Sequence, residues 1–264
     1  MLDVRSIHIT FNPGTPIENK ALRGLSLQIP EGQFVTVIGS NGAGKSTLLN
    51  AVSGDLSIDS GRILIDDTDV TRTPVWRRAR HVARVFQDPM AGTCEDLTVE
   101  ENMALADRRG LLRNLARAVQ PSRRDDYRQR LATLGLGLED RLSDRIGLLS
   151  GGQRQAVSLL MAALRPSRIL LLDEHTAALD PRTAGFVLAL TSRIVAEHKL
   201  TTMMVTHSMR QALDIGDRTI MLHQGQIVLD VSGEARRNMT VQDLLAQFER
   251  VRGETVSDDA LLLG

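Results

Sequence analysis

Gly39-Ser40-Asn41-Gly42-Ala43-Gly44-Lys45-Ser46 is the stretch that decides the fold. It fits the phosphate-loop pattern of a glycine, four residues, then Gly-Lys-Ser/Thr. An apolar run, Phe34-Val35-Thr36-Val37-Ile38, precedes it, and a helical pattern from Thr47 to Val52 follows. In that order, strand, turn and helix aim successive backbone N–H groups and the positive end of a helix dipole at one anion. Gly39, Gly42 and Gly44 permit the positive-φ turns this needs. Lys45 can reach the β- and γ-phosphates of a nucleotide, and the Ser46 hydroxyl can bind Mg²⁺.

Further apolar runs occur at Ile169-Leu170-Leu171-Leu172 and Thr202-Met203-Met204-Val205. Continuous rather than alternating apolar character predicts strands buried on both faces of a parallel sheet. Helical patterns at Gly152 to Leu164 and Thr183 to Glu197 lie between, so the fold class is α/β. Residues 2–11, 25–29, 62–66 and 226–231 alternate more and predict an antiparallel element beside the parallel core. From about 92 to 148 the strand signal gives way to an arginine-rich helical pattern, with breaks at Gly110, Pro121 and Gly135-Leu136-Gly137. Its arginines (Arg108, Arg109, Arg113, Arg117, Arg123, Arg124) read as a solvated face, with a partner-facing surface as the alternative. Trp76 and Tyr127 are assigned to packing.

Composition narrows the function. The chain has 264 residues and 42% hydrophobic content, enough for one large domain or two small ones. Lysine plus arginine equals aspartate plus glutamate at 32 each, which gives no basic footprint for nucleic acid. The single cysteine, Cys94, rules out an intrachain disulfide framework. No apolar run approaches the ~20 residues that span a bilayer. The start, Met1-Leu2-Asp3-Val4-Arg5, lacks a signal-peptide pattern. The expectation is a soluble, intracellular chain whose membrane work would fall to a partner.

Two more segments carry chemistry. Ile169 to Leu172 ends in Asp173-Glu174, and carboxylates at a buried strand end need partners. Beside a phosphate loop, Asp173 suits Mg²⁺ and Glu174 suits the attacking water; capping of the next helix is the alternative. Leu149-Ser150-Gly151-Gly152-Gln153 opens a helix with an N-cap serine and two glycines. That makes either a second anion site or a plain helix cap.

These segments together resemble the ATP-binding-cassette (ABC) ATPases. Leu149 to Gln153 resembles the family's signature motif. Other family elements occur in order over nearly the whole chain. Phe11 stands where an aromatic stacks on adenine, with core packing as the alternative. Gln87, after Val85-Phe86, resembles the glutamine-loop residue. Ala178-Leu179-Asp180 resembles the D-loop, and His207 the switch histidine.

The resemblance implies a P-loop NTPase fold with an antiparallel β subdomain and an inserted α-helical subdomain. It implies one cassette over residues 1–264: a core at 1–91 and 149–231, the helical subdomain at about 92–148, and a C-terminal helical tail at 232–264. ATP would be held by Phe11, by Gly39, Ser40, Asn41, Gly42, Ala43, Gly44, Lys45, Ser46 and Thr47, and by Ser150, Gly151, Gly152, Gln153 and Asp180. Ser150, Gly151 and Gly152 would act on the nucleotide of a second copy, so a homodimer is implied. Mg²⁺ would fall to Ser46, Gln87 and Asp173. Glu174 would orient or deprotonate the attacking water. His207 would stabilise the transferring phosphoryl, with Lys45 and Gln87 completing the catalytic set.

The implied partners are a separate membrane permease, docked near Gln87-Asp88-Pro89, and an extracytoplasmic substrate-binding protein, but no nucleic acid. The implied location is cytoplasmic, on the inner face of the cell membrane. An exporter or mechanotransmission ATPase is the alternative, and a soluble ABC protein acting on nucleic acid or ribosomes a more distant one. Glu174 to Pro181, with Phe11 to Thr15, resembles a bacterial importer branch of tryptophan/tyrosine type. Many family members have proline after the catalytic glutamate; this chain has His175, expected to bond nearby backbone.

Overall fold

The computed structural model describes residues 1–111 and 117–252. Arg113 and the tail from Gly253 lie outside the described residues. The elements, in chain order, are β1 (Leu2–Phe11), β2 (Asn19–Ile29), β3 (Phe34–Gly39), α1 (Lys45–Ser53), β4 (Ser60–Ile65), β5 (Thr68–Asp69), α2 (Val75–Arg78), β6 (Val82–Val85), α3 (Val99–Asp107) and α4 (Arg124–Ala132). They continue as α5 (Gly151–Ala163), β7 (Ile169–Asp173), α6 (Pro181–His198), β8 (Thr201–Val205), α7 (Met209–Asp214), β9 (Arg218–His223), β10 (Gln226–Ser232), α8 (Gly233–Arg237) and α9 (Val241–Arg252). Contacts divide them into two units, Met1–Arg78 with Leu200 onward, and Ala79–Lys199.

In the first unit, β2-β1-β4-β5 form an antiparallel sheet, and β10-β9-β3-β8 form a second set of hydrogen-bonded neighbours. β3 is buried at every residue and runs parallel to both β8 and β9, with Val37 opposite Val205 and Ile220. That two-sided burial is why residues 34–38 show no alternation. The strand expected at 226–231 does not join the antiparallel sheet of β1. As β10 it pairs with β9, which the sequence reading did not place, through a tight turn at Gln224-Gly225.

Two buried arginines brace this unit. Arg78 donates to the carbonyls of Ala51 (2.7 Å) and Val52 (3.2 Å) at the end of α1, and to those of Val70, Thr71 and Thr73. Its charge suits the negative end of that helix dipole. Arg236 donates to the carbonyls of Ala212, Leu213 and Ile215 at the end of α7. α9 brings Leu244 and Phe248 into a cluster with Ile38, Met209, Ala212 and Met221. Trp76 is not packed as expected. It is 60% exposed, and the Arg77 guanidinium lies 4.8 Å from its ring centroid.

In the second unit, β6 and β7 pair in parallel, with Val85 opposite Leu172. Helices α3 to α6 belong to this unit. Tyr127 packs as expected, 2% exposed, with its hydroxyl donating to Asp107 (3.1 Å). The solvated-face reading fails for Arg109. Its guanidinium donates to the carbonyls of Ala162 (3.0 Å) and Arg165 (2.9 Å), tying down the C-terminal end of α5.

Candidate functional site

The phosphate loop leaves the C-terminal end of β3. Gly39, Gly42 and Gly44 have φ of 149°, 77° and 102°, all positive as the sequence requires. Gly44 must also lack a side chain, since a Cβ there would lie 2.7 Å from the Ala21 carbonyl oxygen. Gly44 is the N-cap of α1 and supplies no capping side chain. The first turn of α1, Lys45-Ser46-Thr47, thus opens directly from the loop, the arrangement that anion-binding helix starts use. Lys45 is buried and folds back over the loop, donating to the carbonyls of Gly39 (2.7 Å) and Ser40 (3.1 Å). The Ser40 carbonyl also accepts from Ala43 N (3.1 Å), which tightens the turn. Asn41 and Ser46 are exposed, Ala43 is buried and Thr47 is half-buried.

His207 lies in the same unit. It follows β8, the parallel neighbour of β3, so it leaves the sheet at the same end as the phosphate loop. Ligands of α/β sheets bind at that edge. Thr206 N donates to the Val37 carbonyl (3.1 Å), and Ser208 caps α7, so the histidine is held on both sides. Phe11 ends β1 with 36% of its surface exposed. It is not one of the buried core residues.

The second unit holds the other candidates. Asp173 ends β7 and Gln87 follows β6, so both stand at the same end of this parallel pair. Gln87 is exposed. Arg84 donates to Asp173 Oδ2 at 2.6 Å and lies over the Phe86 ring, 4.6 Å from its centroid. Both partners of this ion pair are nearly buried, with side-chain exposures of 12% and 13%. Glu174 has φ of 44°, a left-handed conformation that few non-glycine residues adopt. Its carbonyl accepts from Ala177 N (2.9 Å). His175 departs from expectation. It is 2% exposed and bonds the side chain of Thr191 rather than nearby backbone. Burial pushes its pKa down to about 4, which keeps it neutral at physiological pH.

The signature segment is a genuine helix start. Ser150 Oγ accepts from Gln153 N (3.3 Å), and Gln153 Oε1 accepts from Ser150 N (3.1 Å), a capping box. Gln153 is thus occupied within its own helix, while the N–H groups of Gly151 and Gly152 lie in the first turn. A Cβ on Gly152 would collide with Thr183 Cγ2 of α6. Asp180 caps α6 by accepting from Thr183 N (3.1 Å). Hydrogen bonding from Thr183 holds its carboxyl below the usual carboxylate range. Helices α5 and α6 therefore meet at Gly152 and Thr183.

Residues 22–177 match the family model described as ABC transporter. The chain belongs to the ABC transporter ATP-binding family. As a member it is an ATP-binding, ATP-hydrolysing subunit of a transporter. Over 94% of its length the cassette is 46% identical to a "Tyrosine transport ATP-binding protein" of Clostridioides difficile (strain R20291), covering 99% of that protein. It is 37% identical to the "Thiamine import ATP-binding protein ThiQ" of Escherichia coli O6:K15:H31 (strain 536 / UPEC), over 76% of this chain and 82% of that one. A dimeric ATP-binding cassette in a post-hydrolysis state, bound to ADP and Pi, superposes with a TM-score of 0.75 and 27% identity. That match covers 88% of this chain and 98% of the other. The α/β P-loop NTPase fold expected from the sequence is the fold found.

Arg84, Gln155, Thr183 and Thr191 were not foreseen as parts of the site. Arg84 left a signal: a charge inside the buried strand Val82-Ala83-Arg84-Val85 requires a counter-charge. Gln155, fully buried on α5, donates to the Phe86 carbonyl (3.1 Å) beside Gln87.

Proposed function

We propose that this cassette drives import of a small solute, an aromatic amino acid of the tyrosine class, through a separate membrane permease. The observation that carries the ATP chemistry is the start of α1. Its N-cap is a glycine without a side-chain cap, and Lys45 curls over the loop that precedes it. The near full-length match to a tyrosine-transport relative supports the substrate class. Among the described residues no helix is long and apolar enough to cross a membrane. The permease supplies the path, and the cassette works on the inner face of the membrane. A substrate-binding protein outside delivers the solute.

The working unit is a homodimer. Ser150, Gly151 and Gly152 of one copy close over the nucleotide held by Lys45 and Ser46 of the other; Gln153 and Asp180 hold the two segments in shape. The dimeric post-hydrolysis relative supports this reading. Phe11 stacks on adenine.

Mg²⁺ fits the donors present. Ser46, Gln87 and Asp173 offer a hydroxyl, an amide and a carboxylate oxygen, the hard ligands this ion prefers. Among the described residues no cluster of three or more histidine, cysteine or acidic side chains stands ready as a metal cage. When bound, Mg²⁺ neutralises charge on the β- and γ-phosphates. Glu174 orients the attacking water, and His207 stabilises charge on the transferring phosphoryl.

The test is Glu174→Gln. With ATP the variant forms a stable dimer by light scattering and hydrolyses ATP at a small fraction of the wild-type rate. Wild-type turnover would overturn the role of Glu174. Tagged Glu174→Gln protein extracted from membranes with ATP brings down a polytopic permease, and replacing Asp88 with arginine abolishes that capture while ATP binding persists. A dimer that captures ribosomes or DNA instead would move the protein to the soluble class.

A further inference from the structure

His175 follows Glu174 in the chain and turns inward. Its Nε2 lies 2.9 Å from Oγ1 of Thr191, a residue in the body of α6 with no exposed surface. The Thr191 hydroxyl has one proton and donates it to the Val187 carbonyl, 2.8 Å away. In the contact with His175, Oγ1 can therefore only accept. The histidine must carry its proton on Nε2 and donate it, so one contact fixes both tautomer and ring orientation. Thr191 lies about three turns into α6, well clear of the helix start at Pro181. The anchor is the rigid part of the helix.

Glu174 needs such an anchor. Its φ of 44° is strained for a glutamate, and strained residues keep their geometry only when the surroundings over-determine it. One tie is the turn closed by Ala177 N on the Glu174 carbonyl. A proline at 175 would push Glu174 towards extended conformations and could not donate to Thr191. We propose that His175, bonded to Thr191, is the positioning residue that holds Glu174 in its left-handed conformation and so aims its carboxylate. This rests on the reading of Glu174 as the water-orienting residue.

The test compares His175→Phe, which keeps an aromatic ring without a donor, with His175→Gln, whose amide N–H reaches about as far as Nε2. Thr191→Val and Thr191→Ser remove and keep the hydroxyl. Steady-state ATPase, equilibrium binding of a fluorescent ATP analogue and thermal midpoints are measured on the full chain. His175→Phe and Thr191→Val lower kcat by between about 10- and 100-fold, the scale of a misplaced catalytic group. KM and analogue affinity stay within about twofold, since the phosphate loop is untouched. His175→Gln and Thr191→Ser recover most of kcat, and the Phe/Val double variant is no slower than either single one.

Wild-type kcat in Thr191→Val overturns the inference, as does a His175→Gln variant no better than His175→Phe. If His175→Phe fails to fold, the Thr191 pair decides alone. Glu174→Gln separates the two claims. Wild-type turnover in that variant refutes the role of Glu174. A dead Glu174→Gln beside a fully active Thr191→Val refutes only the positioning.

Discussion

Arg84 shows how a single residue reports on its surroundings. A guanidinium in a buried strand is tolerated only beside a counter-charge, and Asp173 supplies it at 2.6 Å. The pair is nearly dry, so removing one member leaves the other exposed to the full cost of burial. Arg84→Met is expected to destabilise the nucleotide-free cassette by about 2–3 kcal/mol, somewhat below the cost of breaking a fully buried pair. The midpoint of urea unfolding measures it, and an unchanged midpoint would show that the pair contributes nothing net. Residues whose local pattern sets the backbone geometry around them were the most legible in the sequence. Lys45, Ser46, Ser150 and Asp180 each sit in a pattern whose geometry follows from their immediate neighbours. His175 was misjudged because its partner lies 16 positions away on a helix, and nothing local names Thr191. Arg78, Arg109 and Arg236 resemble surface charges in the sequence, yet each ties down backbone carbonyls at the end of a segment.

Among the elements, helices α5 and α6 give the sharpest case of two demands on one position. Gly152 is needed for packing, because Thr183 Cγ2 occupies the space of its missing Cβ. It also lies in the first turn of α5, where a close approach to phosphate favours glycine. Gly152→Ala should destabilise the fold by about 1–3 kcal/mol through overpacking. Thr183→Ser removes the colliding methyl and keeps the hydroxyl, so the double variant should regain most of the lost thermal midpoint. ATPase activity separates the two demands. If it returns with the midpoint, packing alone selects glycine; if it stays low in the refolded double variant, the phosphate approach does too. The opposite end of the phosphate-loop helix makes a second prediction. Arg78→Met leaves the Ala51 and Val52 carbonyls at the end of α1 without their donor. A loss of about 3 kcal/mol is expected for a buried network broken this way, read from the urea midpoint. Strands were legible where burial was two-sided, as in β3, β7 and β8. β6 and β9 escaped because each carries an arginine that disguises a buried strand.

Over the molecule as a whole, residues 232–264 read in the sequence only as a C-terminal helical tail; the structure adds that α9 is built into the first unit's core. Leu244 and Phe248 are fully buried against Ile38, Met209, Ala212 and Met221. Ile38 precedes the phosphate loop by one residue, and Met209 opens the helix that follows His207. Both segments at the active edge of this unit thus rest on a layer that the C-terminal helix completes. The long sequence separation explains why no local pattern announced it: an amphipathic helix shows that it has an apolar face, not what that face covers. Phe248→Ala should cost about 3–4 kcal/mol, the range for deleting a buried aromatic ring. Because the cluster lies behind the loop and contributes no group to the nucleotide, the folded fraction should bind a fluorescent ATP analogue with wild-type affinity at low temperature. The loss should appear instead as a fall in thermal midpoint that ATP partly restores, since a ligand bound only to the native state stabilises it in proportion to its saturation. A variant with an unchanged midpoint would mean that α9 is an ornament on the core, and a variant that is fully stable but binds ATP weakly would mean that α9 tunes the loop directly.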